Sequence, residues 1–243
     1  AWTASTEAAF TNNGDPNYVQ IKPAEAINYD VYVGDTRVTS ANANDILGDG
    51  TVSYTPASGT KGEDGYVPQT LTLNGATINT GIAFEDVKAG IFSKAGLTIK
   101  LKGKSTVNGA NANSGFSSCG ISVLGTLTIE DDLSDKTVGS LTVKGYDNSE
   151  QYGSYGIVAP TSITINSGAI TSIGGNANDS CGIFSFSEIK INGGTVIATG
   201  NTQAFYDAPT FGNNYTPTVT AGESSTINSV VASPVDPTYT ENK

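Results

Sequence analysis

Four segments of this chain superimpose without gaps, and that repetition limits its possible folds more than any other feature. They are Gly90-Ile91-Phe-Ser-Lys-Ala-Gly-Leu97-Thr-Ile99, Gly120-Ile121-Ser-Val-Leu-Gly-Thr-Leu127-Thr-Ile129, Gly156-Ile157-Val-Ala-Pro-Thr-Ser-Ile163-Thr-Ile165 and Gly182-Ile183-Phe-Ser-Phe-Ser-Glu-Ile189-Lys-Ile191. In each, an aliphatic–polar–aliphatic triplet begins six residues after the isoleucine. A shorter echo, Leu71-Thr-Leu-Asn74-Gly75-Ala-Thr-Ile78, lies upstream. A β-sandwich also uses short strands between turns, but it gives no reason for one register to recur four times. A unit of about 20–30 residues with three short strands and three turns is one coil of a parallel β-helix. Glycine before isoleucine is expected at a corner, where φ > 0 or close backbone approach is needed.

The Gly-Ile pairs begin at Gly90, Gly120, Gly156 and Gly182, so the steps are 30, 36 and 26 residues. The extra residues fall just before each pair, at Asn108 to Ser118, Tyr146 to Tyr155 and Gly174 to Ser180. In a solenoid such insertions project from one corner, a natural face for binding. Elsewhere Leu141-Thr-Val143 and similar triplets keep the two-residue alternation of a strand. Helical period is confined to short stretches around Ala8 or from Pro23 to Ile27. This periodicity argues against disorder, which the abundance of Gly, Ser, Thr and Asn would otherwise suggest. The expected organisation is a polar lead over 1–28, a cap with the first strands over 29–55, coils over 56–211, and a C-terminal cap and tail over 212–243. Something must cover the last coil, because an open end is an exposed sheet edge.

Charge and composition narrow the function. Twelve Lys and Arg against 23 Asp and Glu give a net charge of -11, unsuited to nucleic acid or an anionic membrane surface. No run of 18 apolar residues is present, so no membrane insertion is expected. His is absent, which removes Ser-His-Asp and Cys-His catalysis and most zinc sites. With Met also absent and an Ala/Thr/Ser-rich opening, an exported, extracellular or cell-surface chain trimmed of its signal peptide is expected.

The Gly-Ile coils, the lead-in Tyr29-Asp-Val-Tyr-Val33, and the stretch Val38-Thr-Ser-Ala-Asn-Ala-Asn-Asp45-Ile-Leu-Gly-Asp-Gly50-Thr-Val-Ser-Tyr54 resemble a family of secreted, pectate-lyase-like β-helix proteins of anaerobic gram-positive bacteria. The resemblance covers Tyr29 to Phe211. It implies a right-handed parallel β-helix with three-strand coils that binds plant-type polysaccharide, cellulose-like or pectin-like, and calcium, without lyase activity.

Stacking the repeats predicts vertical ladders. One runs Thr98, Thr128, Thr164, Lys190, and another Lys100, Glu130, Asn166, Asn192. The first suggests an ice-matching array, but threonine is simply a good strand residue. In the second, Lys100 faces Glu130 as a cross-strand ion pair, and Asn166 over Asn192 forms an amide ladder. Cys119 and Cys181 share one repeat position with Tyr155 between them, so they lie two coils, roughly 9.6 Å, apart. That exceeds the roughly 7 Å limit for a disulfide, and two free, packed thiols are expected.

Calcium takes hard oxygens from carboxylates, amides and carbonyls. Its candidate ligands are Asp131, Asp132 and Asp135 in the turn after Glu130, and Asp147, Glu150 and Asp179 in the corner loops; a solvated acidic surface is the plainer reading of either cluster. The segment from Asp45 to Gly50 is instead expected to be a turn that caps the first coil. Sugar sites combine aromatic faces with oriented polar groups. Phe116, Tyr146 and Tyr152 lie in the projecting loops beside Asn111, Asn113, Asn148, Gln151 and Asn176. Phe92, Val158 and Phe184 share one repeat position and are expected to point outward as an apolar strip; in the competing reading they face the interior in place of the isoleucines.

A lyase needs a strong base near its cation, yet the only arginine, Arg37, precedes the repeats. Lys100, Lys102 and Lys104 form a surface stripe more readily than a base. Asp131 and Asp132 are neighbours whose side chains diverge in a strand, a poor pair for hydrolysis. The chain is therefore expected to be non-catalytic. A polysaccharide lyase or hydrolase, or a structural adhesin segment, is the alternative.

Overall fold

The structure, a computed structural model, describes residues 9–12, 19–22, 24–112, 115–132, 134, 137–147, 152–212, 218–221 and 228–232. It is all-β, and three sheets carry nearly all of it. The first sheet contains Val52–Thr55, Thr70–Asn74, Leu97–Lys102, Thr126–Asp131, Ser162–Ile165, Ile189–Ile191 and Thr210–Phe211. The second contains Thr77–Ile78, Lys104–Asn108, Ser140–Lys144, Ala169–Ile173, Thr195–Thr199, Asn228–Ala232 and Thr218–Ala221. The third contains Thr36–Thr39, Asn28–Val33, Val87–Ser93, Ser117–Val123, Ser154–Val158, Ser180–Phe184 and Gln203–Phe205. From Thr70 to Phe211 the chain visits the first, second and third sheets in strict rotation, apart from one additional short strand, Ile82–Phe84. Each strand pairs in parallel with the next strand of its own sheet, an order compatible with a β-helix.

The register is the one the repeats dictate. Ile91, Ile121, Ile157 and Ile183 pair in one column, continued by Phe205. Thr98, Thr128, Thr164 and Lys190 form another. Apolar residues alternate inward from every sheet into one continuous core of fully buried Leu, Ile and Val, each burial contributing about 1.5–3 kcal/mol. Antiparallel strands close both ends of the array. Asn28–Val33 pairs with Val87–Ser93 and Val52–Thr55 with Thr70–Asn74 at one end, and Asn228–Ala232 pairs with Thr195–Thr199 at the other. The stretch from 24 to 27 carries no regular structure and Ala9–Asn12 is a strand, while Ala8 and Pro23 lie outside the described residues.

The Gly-Ile pair does not mark a corner. It lies inside the third-sheet strands, and none of Gly90, Gly120, Gly156 or Gly182 has positive φ. Close approach is the reason for glycine. A Cβ on Gly120 would press into Val143, one on Gly156 into Ser172, and one on Gly90 would lie 2.6 Å from the Asn108 carbonyl oxygen. Two consecutive positions face the core there, so the first must lack a side chain.

Candidate functional site

All three insertions leave the second sheet and enter the third, so they share one corner as expected. A column of buried serines, Ser118, Ser154 and Ser180, holds the loops in order. Ser118 Oγ donates to Ala110 O at 3.1 Å and accepts from Tyr146 N at 3.0 Å. Ser154 Oγ donates to Tyr146 O at 2.7 Å and accepts from Gly175 N at 3.0 Å. Ser180 Oγ donates to Gly175 O at 2.6 Å and accepts from Asn201 N at 3.2 Å. The second and third loops thus each hang between the serine of their own repeat and the serine of the one before.

On this corner Tyr146 is 40% and Tyr152 41% exposed, while Phe116 is half-buried. Asn111 is exposed, and its carbonyl accepts from Lys88 Nζ at 2.7 Å. Asp147 accepts from Asn176 N at 2.9 Å and from Lys144 Nζ at 2.9 Å. The Asn176 N–H above all, and then Lys144, hold its carboxyl below the usual range. Tyr146 and Asp147 line an open depression of about 360 Å³ with Asn79, Asn108 and Lys144. Asn113, Asn148, Glu150 and Gln151 lie outside the described residues.

The outer face of the third sheet carries the aromatic strip, and its two halves differ. Phe92 points away from the core, but it is only 1% exposed. Phe84, on the short strand Ile82–Phe84, stacks on it at 4.6 Å, and Tyr32 lies 6.3 Å away. Phe92 is therefore withdrawn from the candidate sugar contacts, because the hairpin and cap that precede it in the chain roof it over. Phe184 is half-buried and central to an open cluster. Its ring centroid lies 4.3 Å from Tyr206, 4.7 Å from Phe186 and 5.4 Å from Tyr155. Phe186 is 66% and Tyr206 43% exposed. Leu124, at the repeat offset of Phe186, is another exposed apolar residue, and Val158 between the repeats is half-buried.

Phe186 and Tyr206 had no place among the sequence candidates. Phe186 sits four residues after Gly182, where the earlier repeats have Lys94, Leu124 and Pro160. Tyr206 follows Phe205, which takes the isoleucine position of a fifth repeat in which Ala204-Phe205 replaces Gly-Ile. The offset was legible; the altered pair hid it.

Both cysteines are buried and free, on either side of Tyr155 in one column. Burial pushes each thiol up to about 12. Tyr155 donates its hydroxyl to Asp179 Oδ2 at 2.6 Å, and burial followed by this bond raises the phenol. Asp179 is thus a partner of the aromatic cluster.

The turn after Glu130 lies at a different corner, between the first and second sheets. Lys100 and Glu130 pair at 3.7 Å, and Asn192 Nδ2 donates to Asn166 Oδ1 at 2.9 Å, as the ladder requires. Asp131 accepts from Gly139 N at 2.6 Å, and Asp132 from Ser134 N at 3.1 Å. Asp131, Asp132 and Ser134 line an open depression of about 360 Å³ with Lys100, Glu130 and Asn166. Asp135 lies outside the described residues. Among the described residues, no three Asp, Glu or Cys side chains come together in a geometry for a metal ion. Asp45 and Asp49 make turn bonds to Gly50 and Thr51. Arg37 is engaged at the array's N-terminal end by Asp30 and by the Tyr29 carbonyl.

Comparison of the chain with protein-family models, with curated proteins and with solved structures found no match.

Proposed function

We propose that this is a non-catalytic polysaccharide-binding protein of the extracellular space or cell surface, built as a right-handed parallel β-helix with three-strand coils. The strict rotation of strands among three sheets supports the helix, and its right hand follows the near-universal preference of parallel crossovers. The observation that carries the function is the open cluster of Tyr155, Phe184, Phe186 and Tyr206 on the outer face of the third sheet. Aromatic faces bind the C–H faces of sugar rings, and Tyr206 and the nearby Asp179 and Asn176 add polar groups for hydroxyls. The exposed Tyr146 and Tyr152 on the adjoining corner extend this surface. Arg37 is tied up at the far end, and Asp131 and Asp132 bond backbone amides, which favours binding over lysis.

Affinity electrophoresis in gels containing pectate, cellulose derivatives or xylan, with and without calcium, tests the proposal. Retardation without release of unsaturated uronate products is the expected result. Phe186→Ala with Tyr206→Ala should abolish the retardation while leaving the strand circular-dichroism signal unchanged. New ultraviolet absorbance from unsaturated products would replace this reading with a lyase. No retardation in any gel would leave a structural surface element.

A further inference from the structure

We infer that the aromatic face takes an uncharged glycan, independently of calcium, and that acidic glycans are repelled from it. This rests on the polysaccharide-binding reading above and adds the class of ligand. Three exposed carboxylates belong to the segments that carry the four rings. Asp179 holds the Tyr155 hydroxyl, Asp207 directly follows Tyr206, and Glu188 lies two residues after Phe186 and accepts from Thr210. Among the described residues no ion pair is formed by any of the three. Gly145 to Lys243 contains eight Asp and Glu but only Lys190 and Lys243 as basic residues. Lys190 belongs to the first sheet, where it pairs with Thr210 and so lies beside Glu188, leaving Asp179 and Asp207 as the uncompensated charges nearest the rings. Lys94 shares the repeat offset of Phe186 but lies three strands away, roughly 14 Å along the sheet. Its ammonium sits 4.8 Å over Phe84 and 3.7 Å from Asp30. That separation exceeds the Debye length of about 8 Å at physiological salt.

A uronate residue seated on these rings would therefore meet a rim in which carboxylates outnumber lysines. Calcium would have to bridge them, but no three carboxylates converge among the described residues. An uncharged, hydroxyl-bearing ring meets no such repulsion. It stacks on the aromatics while its hydroxyls donate to the rim carboxylates, which are acceptors when ionised.

Pectin offers the test, because one backbone is obtained with its carboxyls methyl-esterified or free. Dissociation constants from affinity gels at low ionic strength in EDTA should be about tenfold or more weaker for the de-esterified polymer, with the gap closing in high salt. Hydroxyethyl cellulose should behave as the esterified form does. Glu188→Gln with Asp207→Asn keeps acceptor oxygens but removes two charges, and should strengthen binding of the de-esterified polymer alone. Equal or tighter binding of the de-esterified polymer at low salt, or loss of all binding in EDTA, would overturn the inference. If that happened while Phe186→Ala with Tyr206→Ala still abolished binding, the aromatic site would stand with a different ligand class. Binding of no polymer at all would overturn both.

Discussion

Ser154→Ala isolates the serine column that hangs the corner loops. The side chain is fully buried, and its hydroxyl bonds both Tyr146 O, at 2.7 Å, and Gly175 N, at 3.0 Å. Alanine fits the space, so packing changes little and the effect is one of hydrogen bonding. A buried donor or acceptor left unpaired costs about 1–3 kcal/mol. Gly175 is buried, so its N–H bears that cost. The expected loss is about 2–3 kcal/mol, or roughly 4–10 °C in Tm for a chain of this size. Ser162→Ala is the matched control, because the Ser162 hydroxyl bonds only Thr126 Oγ1, at 3.2 Å, on a half-exposed face. Its loss should stay within about 0.5 kcal/mol. Thermal melts followed at a strand wavelength would measure both. Amide hydrogen exchange at Gly175 should accelerate in the Ser154 variant, which locates the effect. A Ser154→Ala protein no less stable than Ser162→Ala, with Gly175 exchange unchanged, would refute the loop-hanging role.

Three other predictions follow from the same contacts. Gly156→Ala should destabilise by about 1–3 kcal/mol in denaturant titration, because its Cβ would meet Ser172 and lie 2.6 Å from the Gly182 carbonyl oxygen; a neutral change would show that the glycine column is not set by contact. Phe92→Ala should cost about 3–5 kcal/mol, whereas Phe186→Ala, removing a largely exposed ring, should lower Tm little; equal shifts would mean that the roof over Phe92 does not exist. The folded thiols are raised to about 12 by burial, so the unfolded chain loses these protons first. Their contribution to stability is fully present below the unfolded thiol pKa and is lost as pH rises through about 12. Cys119→Ala with Cys181→Ala should therefore flatten the fall in Tm between neutral and strongly alkaline pH, and a thiol reagent should titrate two groups in denatured, unreduced protein.

What was legible in the sequence was everything that depends on vertical neighbours. A gapless repeat forces residues at equal offsets into register, so the isoleucine column, the Lys100–Glu130 pair, the Asn166–Asn192 bond and the separated cysteines all follow from spacing alone. The shared insertion corner follows for the same reason. Of the two causes offered for the glycines, close approach holds and positive φ does not, and the place is a strand and not a corner. Alternation read from letters does not reveal that two consecutive positions turn inward.

The candidate site depended on lateral and covering contacts, which spacing does not encode. Phe92 and Phe184 are equivalent in sequence and point the same way. One is sealed because Phe84 and Tyr32 from the preceding hairpin and cap lie against it; the other opens onto Phe186 and Tyr206. Likewise the acidic residues looked like two clusters, but the fold hands Asp131 to a backbone amide, Asp147 to Asn176 and Lys144, and Asp179 to Tyr155. Repetition alone fixed which residues lie above one another, since backbone pairing across parallel strands transmits register from each repeat to the next. Tertiary structure decided which outward side chains meet solvent, since that depends on the irregular segments that pack against each repeat and obey no period.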